Sequence, residues 1–416
     1  MSHASDIGEP SPPERPADRV VRGWRAFKAL EWSRGAVLLG AAMLAMLLAN
    51  SPLGPGYHQV LQTPIGFALG PLARSASLHA WIDDALMVVF FFVIGLEIKR
   101  EVLVGELSSA RKAALPIIAA IGGMLAPAAI YLAINAGGPG QHGWGVPVAT
   151  DIAFALGVLA LVRSRVPAGL RVFLMALAIA DDIGAMLVIA VAYSSGLHLA
   201  WLAAALLPLA VLVACNRLRV DSPWPYAVAG IVFWACFLGS GLHATVAGVI
   251  VALTIPAGAL LPAGRAVESA PPLLRRMEDA LAPVADFVVL PLFALANAGV
   301  TITGGGQGLF GPVGLGVMLG LVIGKQVGVT GAAWLAVRLG VARLPDGTGW
   351  RHIYGAAWLA GIGFTMSMFV ANIAFAQAGM TNEAKLGVMA ASGLAGAGGW
   401  IYFRLAVPVR QDRTAR

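Results

Sequence analysis

Apolar residues in this chain run in long blocks, not in the stripes of a soluble helix or the alternation of a half-buried strand. Twelve blocks stand out, at 36–50, 82–98, 113–135, 146–162, 170–193, 197–215, 225–239, 242–262, 284–300, 311–337, 353–376 and 386–406. Most approach the roughly 20 residues that cross a bilayer as one helix. The pattern predicts an all-α polytopic membrane protein with twelve transmembrane helices. Only Gly239-Ser240-Gly241 separates the seventh block from the eighth. The connection 51–81, rich in Pro and Gly, is long enough for a short hairpin or an interfacial helix. The connection 263–283 reads as a hinge or regulatory loop. Residues 1–34 read as a polar cytoplasmic tail, 35–407 as the membrane domain and 408–416 as a second cytoplasmic tail.

The charges test the block count. With an N-terminus on the cytoplasmic side, all of the 28 Lys and Arg except Arg74, Lys385 and Lys325 fall in segments on that side. A wrong count would mix the two sides, so the bias supports twelve spans with both termini inside. Arg74 and Lys385 are assigned to outer segments, and Lys325 lies within the tenth block. The net charge of +7 therefore speaks for membrane orientation and not for nucleic acid.

Composition agrees: 58% of the 416 residues are hydrophobic and 12% charged, with a mean hydropathy of +0.80. Soluble domains carry about 25% charged residues. The 51 glycines suit close helix packing in lipid. Cys215 and Cys236 lie in apolar runs and read as small buried hydrophobes. No phosphate-binding loop is present, and the glycines at 393–399 follow no strand, so neither nucleotide nor cofactor is expected. No His and Cys cluster has metal-ligand spacing.

Chemistry concentrates in a few charges inside the blocks. Leu170–Tyr193 would form a helix about 36 Å long at about 1.5 Å per residue. Asp181 and Asp182 are its twelfth and thirteenth residues, near the bilayer midplane. One central Asp costs about 2.5–3.5 kcal/mol on the translocon scale, and intramembrane carboxylates mark ion or proton pathways. A structural ion pair can explain one of the two at most. Adjacent helical positions point about 100° apart, so one carboxylate can face Lys325 while the other faces a cavity. Burial and like charge favour a protonated carboxyl, a nearby ammonium the ionised one. Carboxylate oxygens also ligate hard cations. Such a site would take protons or a small cation in competition.

Two blocks carry weak points. Pro147 precedes Thr150 and Asp151 in the fourth, and Gly361-Ile362-Gly363 precedes Thr365 and Ser367 in the eleventh. Paired interruptions in two halves point to a transporter site, a rule drawn partly from the family named below. Blocks three to five and ten to twelve would then be inverted repeats; two ordinary kinked helices are the plainer alternative. Broken helices leave partial charges at mid-membrane. Asp151 would neutralise converging N-termini, and Lys325 converging C-termini unless it pairs with a central Asp. Gly316, Gly320, Gly324 and Gly328 share one face of the tenth block, where another helix can approach.

The other polar positions give weaker signals. Asp83 and Asp84 mark a funnel entrance or ordinary interfacial charge. Glu97, Lys99, Arg100 and Glu101 sit where snorkelling alone would place them. His243 reads as a structural histidine or a proton sensor. Glu278 and Asp279 are assigned to a solvated loop. Asp286 and Asn297 read as residues that bond neighbouring helices.

Several motifs are long enough to identify a family. Ala149-Thr150-Asp151-Ile152-Ala153-Phe154-Ala155-Leu156-Gly157, Ala180-Asp181-Asp182-Ile183-Gly184, Gly324-Lys325, 90–101, 241–245 and 361–367 closely resemble the NhaA-type sodium/proton antiporters of bacteria, over about 35–405. The resemblance implies broken fourth and eleventh helices that cross, and electrogenic exchange of two protons for one sodium or lithium ion. It implies Asp182 as principal cation ligand, Asp181 as the second with Lys325 as its partner, and Asp151 and Thr150 at the crossing. Glu97, Glu101, His243 and Glu278 match positions tied to pH response. Asp279 and Ala282 depart from the histidines of the best-known relative, which bears on the pH profile and not on the exchange. The family dimerises through the outer segment between spans one and two, here 51–81, and works in the bacterial inner membrane. The competing classes are an uncoupled channel, an intramembrane enzyme with an aspartate dyad, and an organic-anion transporter. Uphill exchange separates an antiporter from a channel. A dyad would draw its acids from different helices, and an anion carrier would line its cavity with cations.

Overall fold

Each of the twelve apolar blocks contains helix in the computed structural model, which describes residues 30, 32–69, 72–194, 196–258, 271–302 and 308–408. The expected tails 1–34 and 408–416 lie almost wholly outside the described residues. Among the described residues, seven helices are long and apolar enough to cross a membrane, and up to ten if each of three bent pairs counts as one span. Two of these pairs are the fourth and eleventh blocks, bent by 41° and 45°. In the third, Gly54–Gln62 turns 111° away from Ser33–Ala49. It leads into an antiparallel hairpin of Pro64–Leu69 with Leu72–Ser77, in which Pro64 faces Ser77 and Leu69 faces Leu72. The 51–81 connection thus holds both a helix and a hairpin.

Several boundaries differ from the sequence reading. The second block continues to Val104, so Lys99, Arg100 and Glu101 are helical. The eighth is shorter: Ala244–Thr254 ends just before Pro256, and the Lys99 ammonium donates to the carbonyls of Leu253 and Ile255 at 2.7 and 2.5 Å. A cation on the last carbonyls satisfies a helix end. The ninth begins at Leu273, so Glu278 and Asp279 belong to a helix and not to a loop. Leu273 and Leu274 are buried there while Arg275 and Arg276 are exposed, an amphipathic turn that average hydropathy conceals. The twelfth begins at Ala378, which draws Lys385 into a helix and out of solvent. Between blocks seven and eight, Gly241 ends Pro223–Ser240 with φ +83°, a left-handed conformation that glycine adopts without strain.

The helices pack in two groups. Blocks three, four, five, ten, eleven and twelve pack on one another; blocks one, two, eight and nine form a second group, with six and seven against eight. The groups meet where Ser33–Ala49 packs on Ile152–Leu161 and where Leu290–Asn297 packs on Phe364–Ala374. Within the first group, the glycine face of Pro312–Arg338 lies on Ala110–Asn135. A Cβ at Gly328 would run into the carbonyl of Gly122, so the two backbones touch directly.

Candidate functional site: a carboxylate pair beside two broken helices

The two helix breaks lie against each other. Pro139–Val148 gives way at Ala149-Thr150-Asp151 to Ile152–Leu161, and Trp350–Ala360 gives way at Gly361-Ile362-Gly363 to Phe364–Ala374. The Asp151 amide donates to the Ile362 carbonyl at 2.7 Å, and the Thr150 hydroxyl to the Ala360 carbonyl at 2.8 Å. Each break thereby satisfies backbone groups that the other exposes, as a dry interior requires. The Asp151 carboxylate joins the two helix N-termini. Its Oδ1 accepts from the Phe154 amide at 2.9 Å; its Oδ2 accepts from the Thr365 amide at 3.1 Å and the Thr365 hydroxyl at 2.5 Å. An anion there meets the partial positive charge of both ends. Its partner Thr365 is a contact the sequence did not reveal.

Asp181 and Asp182 sit midway along Ala168–Ala192, each 1% exposed. The Lys325 ammonium donates to Asp181 Oδ2 at 2.5 Å and is itself 1% exposed. Lys325 thus pairs with a central Asp; it donates to no helix-end carbonyl among the described hydrogen bonds. One oxygen on each aspartate, Oδ1 in both cases, has no partner among the described residues. A buried carboxylate oxygen without a donor is costly, and a proton or a cation would remove that cost. Asp182 lines a cavity of about 870 Å³, whereas Asp181 lies behind it with Lys325. Asp151 and Thr365 also line the cavity, and Arg34, Arg163, Arg171 and Glu278 lie among its polar lining residues. The pair is therefore split by role: one carboxylate on the cavity, one in a buried ion pair.

Charges gather at the mouth. Arg100 Nε is 2.9 Å from Glu278 Oε1 and its Nη1 2.6 Å from Glu101, with Glu97 3.9 Å from Nη2. Glu101 also accepts from the Glu106 amide at 2.9 Å. Glu97, Glu101 and Glu278 thus form one cluster around Arg100. Asp286 pairs with Arg34 at 2.9 Å, while Asp279 is exposed, 3.6 Å from Arg275. The other sequence candidates are not brought to this mouth. His243 Nε2 lies 3.0 Å from the Tyr193 carbonyl, and Asp84 lies in the π turn Ile82–Leu86 at the opposite end of the second block.

Sequence reasoning missed a second buried polar cluster, at that opposite end. Asp83 accepts from Asn297 at 2.7 Å through Oδ1 and from Asn372 at 2.8 Å through Oδ2. Asn297 Oδ1 in turn accepts from Lys385 at 3.1 Å, from Asn372 at 2.5 Å, and has His79 Nε2 at 3.0 Å. Lys385 is 7% exposed, not the outer-loop cation expected of it. The signal available was the shared helix face of Lys385 and Ser392, seven residues apart and both buried.

Paired helix breaks around buried carboxylates, set in a bundle of membrane-spanning helices, define a class: a multi-pass membrane transporter with an ionisable centre. Comparison with known proteins narrows it. The family model "Na+/H+ antiporter 1" matches residues 25–403. The chain is 44% identical to the Na(+)/H(+) antiporter NhaA of Oleidesulfovibrio alaskensis, over 98% of this chain and 99% of that one. It is 50% identical to NhaA 2 of Novosphingobium aromaticivorans over 90% and 94% of the two chains. With the NhaA of Rhodospirillum rubrum it shares 47% identity over 91% and 96%. The chain belongs to the NhaA family of Na+/H+ antiporters, whose members are transporters and not enzymes.

Proposed function

We propose that this protein exchanges two protons for one sodium or lithium ion across the bacterial inner membrane, and so serves pH and sodium homeostasis. Asp182 is the principal cation ligand, at the end of the cavity, and Asp181 the second. The observation that carries this reading is the unpartnered Oδ1 on each of two adjacent buried carboxylates, one of them lining a cavity. With Lys325 charged and Asp181 ionised, the site holds one net negative charge when Asp182 is also ionised. A bound alkali cation or a proton on Asp182 cancels it, so the two compete. The second proton per cycle is drawn from the Asp181–Lys325 pair, whose bond must break for Asp181 to reach a cation.

Twelve spans carry the chain, with the broken fourth and eleventh crossing at Asp151 in inverted repeats. Both termini face the cytoplasm, and the cavity opens to that side; the bias of Lys and Arg to the same side supports this orientation. Asp151 and Thr150 hold the crossing. The Arg100 cluster with Glu97, Glu101 and Glu278 tunes the response to pH, and His243 and Asp84 lie by the far entrance. Ions cross as one helix group rocks against the other. Two copies associate through the hairpin segment 51–81. Reconstituted Asp182→Asn protein is expected to lose sodium-dependent collapse of a pH gradient in proteoliposomes; retained exchange would remove the reading.

A further inference from the structure

We propose that Asp83, with the side-chain oxygen of Asn297, forms a second monovalent-cation site, beside which the Lys385 ammonium stands on the Asn297 oxygen in this structure. The inference rests on the antiport reading and deepens it by naming a second station on the ion path. Asp83 and Glu97 are fourteen positions apart on a near-continuous helix, about 21 Å at about 1.5 Å per residue. Glu97 lines the cavity that reaches Asp182. The cluster therefore stands toward the opposite face, where the route is closed.

Its chemistry is that of a cation site. One carboxylate and a neighbouring amide oxygen, that of Asn297, are hard donors of the kind that small cations take. The Asn297 oxygen already receives a cation, the Lys385 ammonium, at 3.1 Å, and Asp83 supplies the counter-charge. A lysine ammonium is a compact monovalent charge on a long flexible stem. Lys385 lies eight residues into Ala378–Ala406, close enough to that end for its head to swing toward solvent. When it does, it leaves one net negative charge with oxygens facing inward, and an arriving alkali ion replaces it without changing the local charge. His79 is the other titratable group in the cluster, with Nδ1 3.7 Å from Asp83 Oδ2.

The position explains why the site is closed here. Asp83 and Asn297 come from one helix group, Asn372 and Lys385 from the other. The bonds from Asn372 to Asp83 and Asn297 and from Lys385 to Asn297 cross the seam along which the groups must part for the opposite face to open. Parting the groups withdraws Lys385 and Asn372 from Asp83 and Asn297, so opening and vacating are one event. Structural bonding alone is the competing account: Asp83 and Lys385 linked through Asn297 only to hold four helices together.

The test uses membrane vesicles of both orientations and full-length protein. In Asp83→Asn, the sodium concentration for half-maximal exchange is expected to rise about tenfold at the face opposite the cavity mouth, the effect of losing one charge-assisted interaction. At the mouth face it should stay within about twofold, the scatter of such measurements. Lys385→Met should lower it at the opposite face only, and Asp83→Glu should restore part of the loss. Equal change at both faces, or none at either, overturns the site. A second readout needs no transport. Purified Asp182→Asn/Lys385→Met protein should retain radioactive sodium in equilibrium dialysis, and adding Asp83→Asn should abolish it. Sodium retention indifferent to Asp83 overturns the proposal even where exchange is intact. Retention that depends on Asp83, in a chain whose parent shows no exchange, would instead uphold the site and sink the antiport reading.

Discussion

Replacing Asp151 by alanine tests the reading of the helix breaks most severely. The carboxylate is 2% exposed and receives three donors, from Phe154 and twice from Thr365, on two different helices. Alanine removes the partner of all three donors, worth about 1–3 kcal/mol for each that stays unpaired; cavity water can reach the Thr365 side, so the loss should be about 3 kcal/mol. Two helix N-termini then face each other uncompensated, which adds about 0.3–2 kcal/mol. Set against a net folding stability of roughly 5–15 kcal/mol, that is a large share. Asp151→Asn keeps one acceptor oxygen and should lose about half as much, since one helix end stays bonded. Thr365→Val removes one of the two bonds to Oδ2, and its effect should be non-additive with Asp151→Ala. Equilibrium unfolding in mixed micelles, followed by tryptophan fluorescence, reads the parent, the three single variants and the Asp151→Ala/Thr365→Val double variant. A loss under about 1 kcal/mol for Asp151→Ala would refute the claim that this carboxylate holds two helix ends, because even one orphaned buried donor costs that much.

Further expectations are more local. Lys325→Ala strands Asp181 without its donor and should shift the pH profile of exchange; an unchanged profile in proteoliposomes would dismiss the pairing role. Combining it with Asp181→Asn should recover stability, because breaking a buried pair from one side costs about 3–5 kcal/mol while removing both charges costs far less. Gly328→Ala places a methyl against the Gly122 carbonyl and should cost about 1–3 kcal/mol by overpacking. Gly393→Ala, with no atom within 4 Å of the added carbon, should be silent in the same unfolding assay; equal effects would disprove the close contact.

The features legible in the sequence are those fixed by local chemistry. Pro147 and the Gly361-Ile362-Gly363 run announce broken helices because they interrupt backbone bonding by themselves. Asp181 and Asp182 stand out because a charge pair in the middle of an apolar block has no local explanation. The glycine face of the tenth block follows from periodicity alone, but its partner Ala110–Asn135 does not. Features set by distant partners were hidden. Nothing near Glu278 in sequence indicates Arg100, and nothing near Asp83 indicates Asn297, Asn372 or Lys385, which lie 214, 289 and 302 positions away. Lys385 reads as a loop cation because hydropathy marks the lipid-crossing part of a helix and not the helix itself; Ala378–Ala406 starts eight residues before its apolar block. The same error turned Leu273–Val284 into a loop.

The competition between ions at the carboxylate pair is tested most directly by calorimetry of sodium binding to the purified protein, in two buffers of different ionisation heat. Binding that expels protons, at a ratio that Asp182→Asn eliminates, is the predicted result. Sodium uptake that releases no protons and is indifferent to pH would contradict the account.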